Sequence, residues 1–124
     1  MNSFASLYVF MLIPHEWIAA AGLTDFKPDR SSFRCDEPHV LMRLTDIEPP
    51  LRNAGVTLDA NGFRRDRMMR ILEGIRDGAS IPPIYVEVSD PGQRPYRVRD
   101  GVHRYWASHA LGFSCVPAEI LERL

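Results

Sequence analysis

A chain of 124 residues with 45% hydrophobic and 25% charged content fits one soluble globular domain with a real core. Its formal net charge of −1 excludes a broad basic face for gripping nucleic-acid phosphates and leaves room only for a local stripe of arginines. Two scattered cysteines, Cys35 and Cys115, and four histidines show no metal-ligand spacing, which argues against zinc and fits a reducing cytoplasm.

Residues 1–36 read as a lead-in. Residues 6–13 are strand-like. Their apolar run is too short to span a bilayer, lacks a basic flank and is cut by Pro14-His15-Glu16, so no membrane contact is expected. Pro14 suits a helix start, and residues 15–22 form a helix stopped by Gly22. Residues 23–38 carry Asp, Pro, Ser and Arg without period, as a loop does. The lead-in caps the domain or meets a second copy in an oligomer.

Residues 37–124 form the domain proper. A short strand over 39–44 runs into Thr45-Asp46-Ile47-Glu48-Pro49-Pro50, where the proline pair forces an extended exit. Residues 53–62 are a loop. Residues 64–77 are the clearest helix, with Met68, Ile71, Leu72 and Ile75 on one apolar face and an Asp66–Arg70 pair elsewhere. Asp77-Gly78 ends it. Arg64, Arg65 and Arg67 sit unfavourably for the helix dipole and read either as a solvated face or as ligand groups. Residues 83–99 read as a hairpin turning at Asp90-Pro91-Gly92-Gln93. A helix over 102–111 ends at Gly112, and residues 116–121 form a last strand. Strand, helix, hairpin, helix, strand is the order of a small α+β domain, a mixed sheet packed with helices.

The most informative joint is Asp100-Gly101-Val102-His103-Arg104, a strand end, a glycine turn and a helix start. The first N–H groups of a helix lack internal partners and sit at the positive end of its dipole. Gly101 lets the backbone approach an anion closely, Arg104 adds a planar fork of donors, and His103 supplies a hydrogen bond or moves a proton. These residues read as a phosphate cradle; a plain turn with a solvated arginine is the other reading of the same five. Of Tyr105 and Trp106, one packs in the core and the other is available to stack on a base or a partner.

Four pieces in order carry a family resemblance. They are residues 40–50, ending in Ile47-Glu48-Pro49; residues 68–84, a helix, a glycine and Pro82-Pro83-Ile84; Asp100-Gly101-Val102-His103-Arg104 with Ala107 and Leu111-Gly112; and Val116-Pro117-Ala118. Together these resemble the ParB/sulfiredoxin superfamily, over about two thirds of the chain. The resemblance implies a single small ParB/sulfiredoxin-like domain binding a nucleoside triphosphate, ATP or CTP, with Mg²⁺. Gly101, His103 and Arg104 would hold the phosphates, and Gly78, Ser80 and Pro83 would line the nucleotide from the other side.

The departures narrow the activity. Where sulfiredoxins carry their nucleophilic cysteine this chain has Val102, which forms no sulfur-linked intermediate. Segregation-type ParB proteins carry Gly-Glu-Arg-Arg and a following DNA-reading module, whereas this chain has Gly101-Val102-His103-Arg104 and reaches Leu124 without room for one. The motif is closer to stand-alone members that resemble small-molecule kinases, nucleases or ATPases. Phosphoryl transfer to a small acceptor, or nucleotide hydrolysis, would draw on Asp100 and His103 for metal or proton work, with Asp100 the metal ligand, and on Glu48 as a base. The other class is a non-catalytic nucleotide-gated or DNA-associated accessory module.

Overall fold

The structure, a computed structural model, describes residues 12–51, 58–91 and 93–122. Among these residues, three helices and five strands follow in the order α1 (His15–Ala20), β1 (Val40–Arg43), a 3₁₀ turn (Leu44–Asp46), β2 (Ile47–Glu48), α2 (Arg65–Arg76), β3 (Ile84–Val88), β4 (Tyr96–Asp100), α3 (Val102–Leu111) and β5 (Cys115–Ile120). This is a single small α+β domain. The strand expected over residues 6–13 lies outside the described residues up to residue 11.

The five strands form one mixed sheet in the order β1-β5-β3-β4-β2. β3 and β4 are the expected hairpin, antiparallel with Val86 opposite Val98 and Glu87 opposite Arg97. Period-two alternation then sets Glu87 and Arg97 on the same face, and their side chains meet at 2.7 Å. α3 carries the chain back so that β5 runs parallel to β3, with Ile84 opposite Ala118.

The placement of β1 and β2 dictates the sheet's shape. They are consecutive in the chain yet occupy opposite edges, β1 antiparallel to β5 and β2 parallel to β4. Five flat strands put their edges roughly 19 Å apart at about 4.8 Å per spacing. The four steps from Arg43 to Ile47 reach about 14 Å at most. The sheet therefore has to curl, and the Leu44 amide anchors the turn by donating to the Ser114 carbonyl at 3.0 Å.

Inside the curl, Met42, Ile47, Ile84, Val86, Val116 and Ala118 are buried in one core cluster with Tyr105, Ala107 and Leu111 of α3. α3 packs on β3 and β5, and α2 packs on α3 through Met68, Leu72 and Ile75. The lead-in joins the same core: Ile13, Trp17, Ala21, Leu23 and Phe33 are all buried in it. Among the described residues no helix is long and apolar enough to cross a membrane.

Candidate functional site

The turn between β4 and α3 is where the sequence concentrates its chemistry. Gly101 caps α3 with φ 110° and ψ 30°, a conformation in which a side chain is strained. A β-carbon on Gly101 would sit 2.7 Å from Cγ2 of Ile84. The glycine is thus required first by strand β3, which passes directly beneath the turn. The close approach it permits is to the protein's own core, and Gly101 itself is buried.

Its neighbours nonetheless open outward. Asp100, Gly101, Val102, His103 and Arg104 line a cleft of about 710 Å³ together with Arg99 of β4 and Arg67, Arg70 and Ile71 of α2. The volume is in the range of small-molecule and cofactor sites. Four guanidiniums and one carboxylate line it, and Gly101 at the cap of α3 has no side chain to accept from the helix's first amides. The first amides of α3 add their partial positive charge to those cations.

Three of the guanidiniums have distinct anchors among the described residues. Arg104 donates from Nη2 to the Pro83 carbonyl at 3.0 Å, and its buried Nε has no acceptor among the described residues. Arg70 reaches Asp66 at 3.4 Å, the expected i,i+4 pair. Arg99 lies 3.8 Å from Glu87, whose other oxygen takes Arg97 at 2.7 Å. Arg67 is exposed and meets no carboxylate among the described residues. The charge in the cleft is therefore only partly neutralised by the protein.

His103 holds a different post from the one its sequence position suggests. Its ring is buried and its Nε2 accepts the Arg64 amide at 2.9 Å, with Phe63 edge-on at 5.3 Å. Because Nε2 is the acceptor, the neutral ring carries its proton on Nδ1. Arg64 immediately precedes α2, and the next amide, Arg65, donates to the Asp59 carboxylate at 2.8 Å. Two side chains thus satisfy otherwise orphaned N–H groups at the start of α2. The His103 bond also fixes the start of α2 against the first turn of α3, which sets the distance between the cleft's walls.

The other expected site residues divide. Pro83 is buried and does not line the cleft; its carbonyl orients Arg104, which does. Gly78 and Ser80 lie away from it: the Gly78 carbonyl accepts Arg34 at 3.3 Å, and the Ser80 hydroxyl accepts the Asp36 amide at 2.8 Å. Those bonds zip residues 78–81 to the loop around residue 34, completed by the Ile81 amide donating to the Arg34 carbonyl. Glu48 sits half-buried on β2 opposite Arg97, three residues before Asp100 along β4, and does not line the cleft. Tyr105 is the aromatic that packs in the core. Trp106 is pinned to the chain by its indole N–H, which donates to the Pro50 carbonyl at 2.9 Å.

Arg67, Arg70 and Arg99 are the cleft residues that the motif alone does not announce. Arg67 and Arg70 stand three apart on α2, one face on from the apolar stripe, and that spacing was visible in the sequence. Their convergence with Arg99 depended on how α2 packs on α3. Among the described residues no group of three His, Cys, Asp or Glu side chains could hold a metal ion. Compared with known proteins, the chain matches no family model and no curated sequence.

Proposed function

We propose that the cleft between α2 and the start of α3 binds the phosphates of a nucleoside triphosphate, in a domain similar to the ParB/sulfiredoxin superfamily. The observation that carries this reading is the convergence of Arg67, Arg70, Arg99 and Arg104 on one cleft against the single carboxylate of Asp100. Arg104 lines the cleft and offers a planar fork of charge-assisted donors to phosphate oxygens. Bidentate capture of phosphate oxygens suits arginine far better than lysine, and Lys27 is the only lysine in the chain.

Mg²⁺ fits the site on modest terms. Asp100 is exposed at the cleft and supplies one carboxylate oxygen. Magnesium is commonly held by one or two carboxylates, ligand phosphates and water, so a fuller set of protein ligands is unnecessary. The ion would neutralise phosphate charge beside Asp100.

The same geometry favours binding over turnover. Of the three residues offered for proton work, Glu48 lies outside the cleft lining, and His103 has Nε2 engaged by the Arg64 amide. Asp100 remains as the one carboxylate facing the ligand. A nucleotide-gated module that contacts a partner is therefore the preferred form of the proposal, and phosphoryl transfer or hydrolysis through Asp100 is the second.

A thermal-shift titration with ATP, CTP, GTP and ADP in Mg²⁺ tests the binding. At a hundredfold excess over Kd, about 2.7 kcal/mol of stabilisation is expected, and Arg104→Ala should remove most of it. Equal stabilisation of Arg104→Ala and the native chain would refute the role of Arg104. Phosphate release measured on the same samples separates the two forms of the proposal.

A further inference from the structure

The two edges of the sheet are finished differently. β2 is two residues long, its Ile47 carbonyl accepts Arg94 Nη1 at 3.2 Å, and its Ile47 amide donates back to the Leu44 carbonyl. Pro49 and Pro50 follow at once, so that edge is short and stopped. β1 lacks such closure. Opposite Arg43, the Cys115 amide donates to the Ser31 carbonyl at 2.9 Å, and opposite Leu41, Pro117 has no N–H to give. Antiparallel ladders alternate bonded and non-bonded pairs, so β1 bonds to β5 through Val40 and Met42. The Leu41 amide and carbonyl and the Arg43 amide therefore point away from the sheet, without a partner among the described residues. Two apolar side chains flank them, Val40 at 49% exposed and Leu41 at 54%.

We infer that this edge pairs with β1 of a second copy of the chain, antiparallel about a two-fold axis through Leu41. The Leu41 amide of each copy donates to the Leu41 carbonyl of the other. Two residues on, each Arg43 amide meets the His39 carbonyl of the second copy, and the two sheets become one. The Leu41 side chains then stand directly opposite each other at a Cα separation of about 5.5 Å, each shielding the other from water. On the opposite face, half-exposed Val40 meets Met42 of the second copy.

Charge favours a second copy as the occupant. Antiparallel pairing lays the C-terminal end of one β1 against the N-terminal end of the other. At the first end stands Arg43, its side chain 72% exposed and held only by a 3.2 Å surface pair with Asp46. At the second, exposed Glu37 lies two residues before His39, and the β1–β5 register carried one step further sets exposed Glu119 beside His39. Each copy thus brings a guanidinium to the end where the other holds two carboxylates. A four-residue edge buries little area, so the association is weak and reversible.

Sedimentation equilibrium of the full chain between about 5 µM and 1 mM tests the pairing, with amide exchange followed at both ends of that range. The mass should rise from 14.1 kDa toward twice that value. Exchange at the Leu41 and Arg43 amides should slow by at least about threefold with concentration, while the Ala118 amide, already in the ladder, changes less. Arg43→Pro removes an edge donor that the fold does not use, since residue 43 has φ −66° and Met42 before it is extended. It should weaken association at least about thirtyfold, by two lost hydrogen bonds. Arg43→Ala loses the same guanidinium but keeps the N–H, and should weaken it only about threefold. Leu41→Glu, which opposes like charges across the axis, should cost at least about tenfold and serves also if Arg43→Pro does not fold.

A monomer at every concentration would overturn the inference and leave the edge to an extended segment of another protein. Equal protection of the Leu41 and Arg43 amides at both concentrations would overturn it too, because the edge would already be filled within one chain. So would a dimer that forms equally well in Arg43→Pro and Leu41→Glu, which would place the interface elsewhere.

Discussion

Replacing Gly101 with alanine probes the point where the core and the cleft share a backbone. The new β-carbon would lie 2.7 Å from Ile84 Cγ2, 2.9 Å from its Cβ and 3.2 Å from its Cα. The first contact belongs to a side-chain end, but the other two belong to atoms fixed by strand β3. Holding an alanine at φ 110° costs about 1–3 kcal/mol, and forcing an extra methyl into a packed site costs about 1–3 kcal/mol more. A loss of roughly 2–6 kcal/mol is expected, a large share of the 5–15 kcal/mol that stabilises a typical domain. Gly78→Ala isolates the backbone part, since Gly78 has φ 69° and nothing within 4 Å of an added β-carbon. Its expected cost is about 1–2 kcal/mol. Adding Ile84→Ala to Gly101→Ala should recover little, because it removes Cγ2 and leaves Cβ and Cα in place. Urea denaturation of the native chain and these three variants, with m checked for constancy, measures the differences. If Gly101→Ala and Gly78→Ala cost the same within about 0.5 kcal/mol, the steric account of the turn is wrong.

Three further outcomes follow from the contacts around the cleft. His103→Ala should destabilise by about 2–3 kcal/mol by stranding the Arg64 amide and opening a cavity, and should speed hydrogen exchange at that amide; unchanged exchange would rule the brace out. Asp59→Ala should cost about 1 kcal/mol, the usual loss for a helix-start acceptor, read from the denaturation midpoint. Burial pushes the Tyr105 hydroxyl above its ordinary range, with Arg94 partly opposing and Glu48 reinforcing. The folded protein then binds the phenolic proton more tightly than the unfolded chain does. That stability is complete below the unfolded value of about 10 and is lost as pH rises through the folded one. Tyr105→Phe should accordingly flatten the alkaline limb of a stability–pH curve, and an unchanged limb would exclude Tyr105 as its source.

Local chemistry made most of the elements legible. The 3.6-residue spacing of Met68, Ile71, Leu72 and Ile75 and the Asp77-Gly78 stop located α2 within a residue of its observed bounds, Arg65–Arg76. Alternation and the Asp90–Gln93 turn gave the hairpin. The strand order was hidden. Pro117 argues for an edge position, since it lacks a ladder donor, yet β5 lies between β1 and β3. Site residues within the motif came out where the cleft is because strand, turn and helix are contiguous in the chain. Gly78, Ser80 and Glu48 depended on distant packing, and the structure sets them against the residue-34 loop and against Arg97. His103 shows the limit of reading a residue type by position. A histidine in a first turn suits a ligand, but the nearby α2 start supplied an amide in need of an acceptor.

The curled sheet carries a consequence for how the chain is made. Among the described residues β1 has one hydrogen-bonded neighbour, β5, which lies some seventy residues later in the sequence. As the polypeptide emerges from the ribosome, Val40 and Leu41, half exposed even in the finished fold, gain this described partner only once Ala118 is out. Closure of so remote a pair is slow by nature, and it makes the arrival of β5 the step that commits the sheet to its final shape.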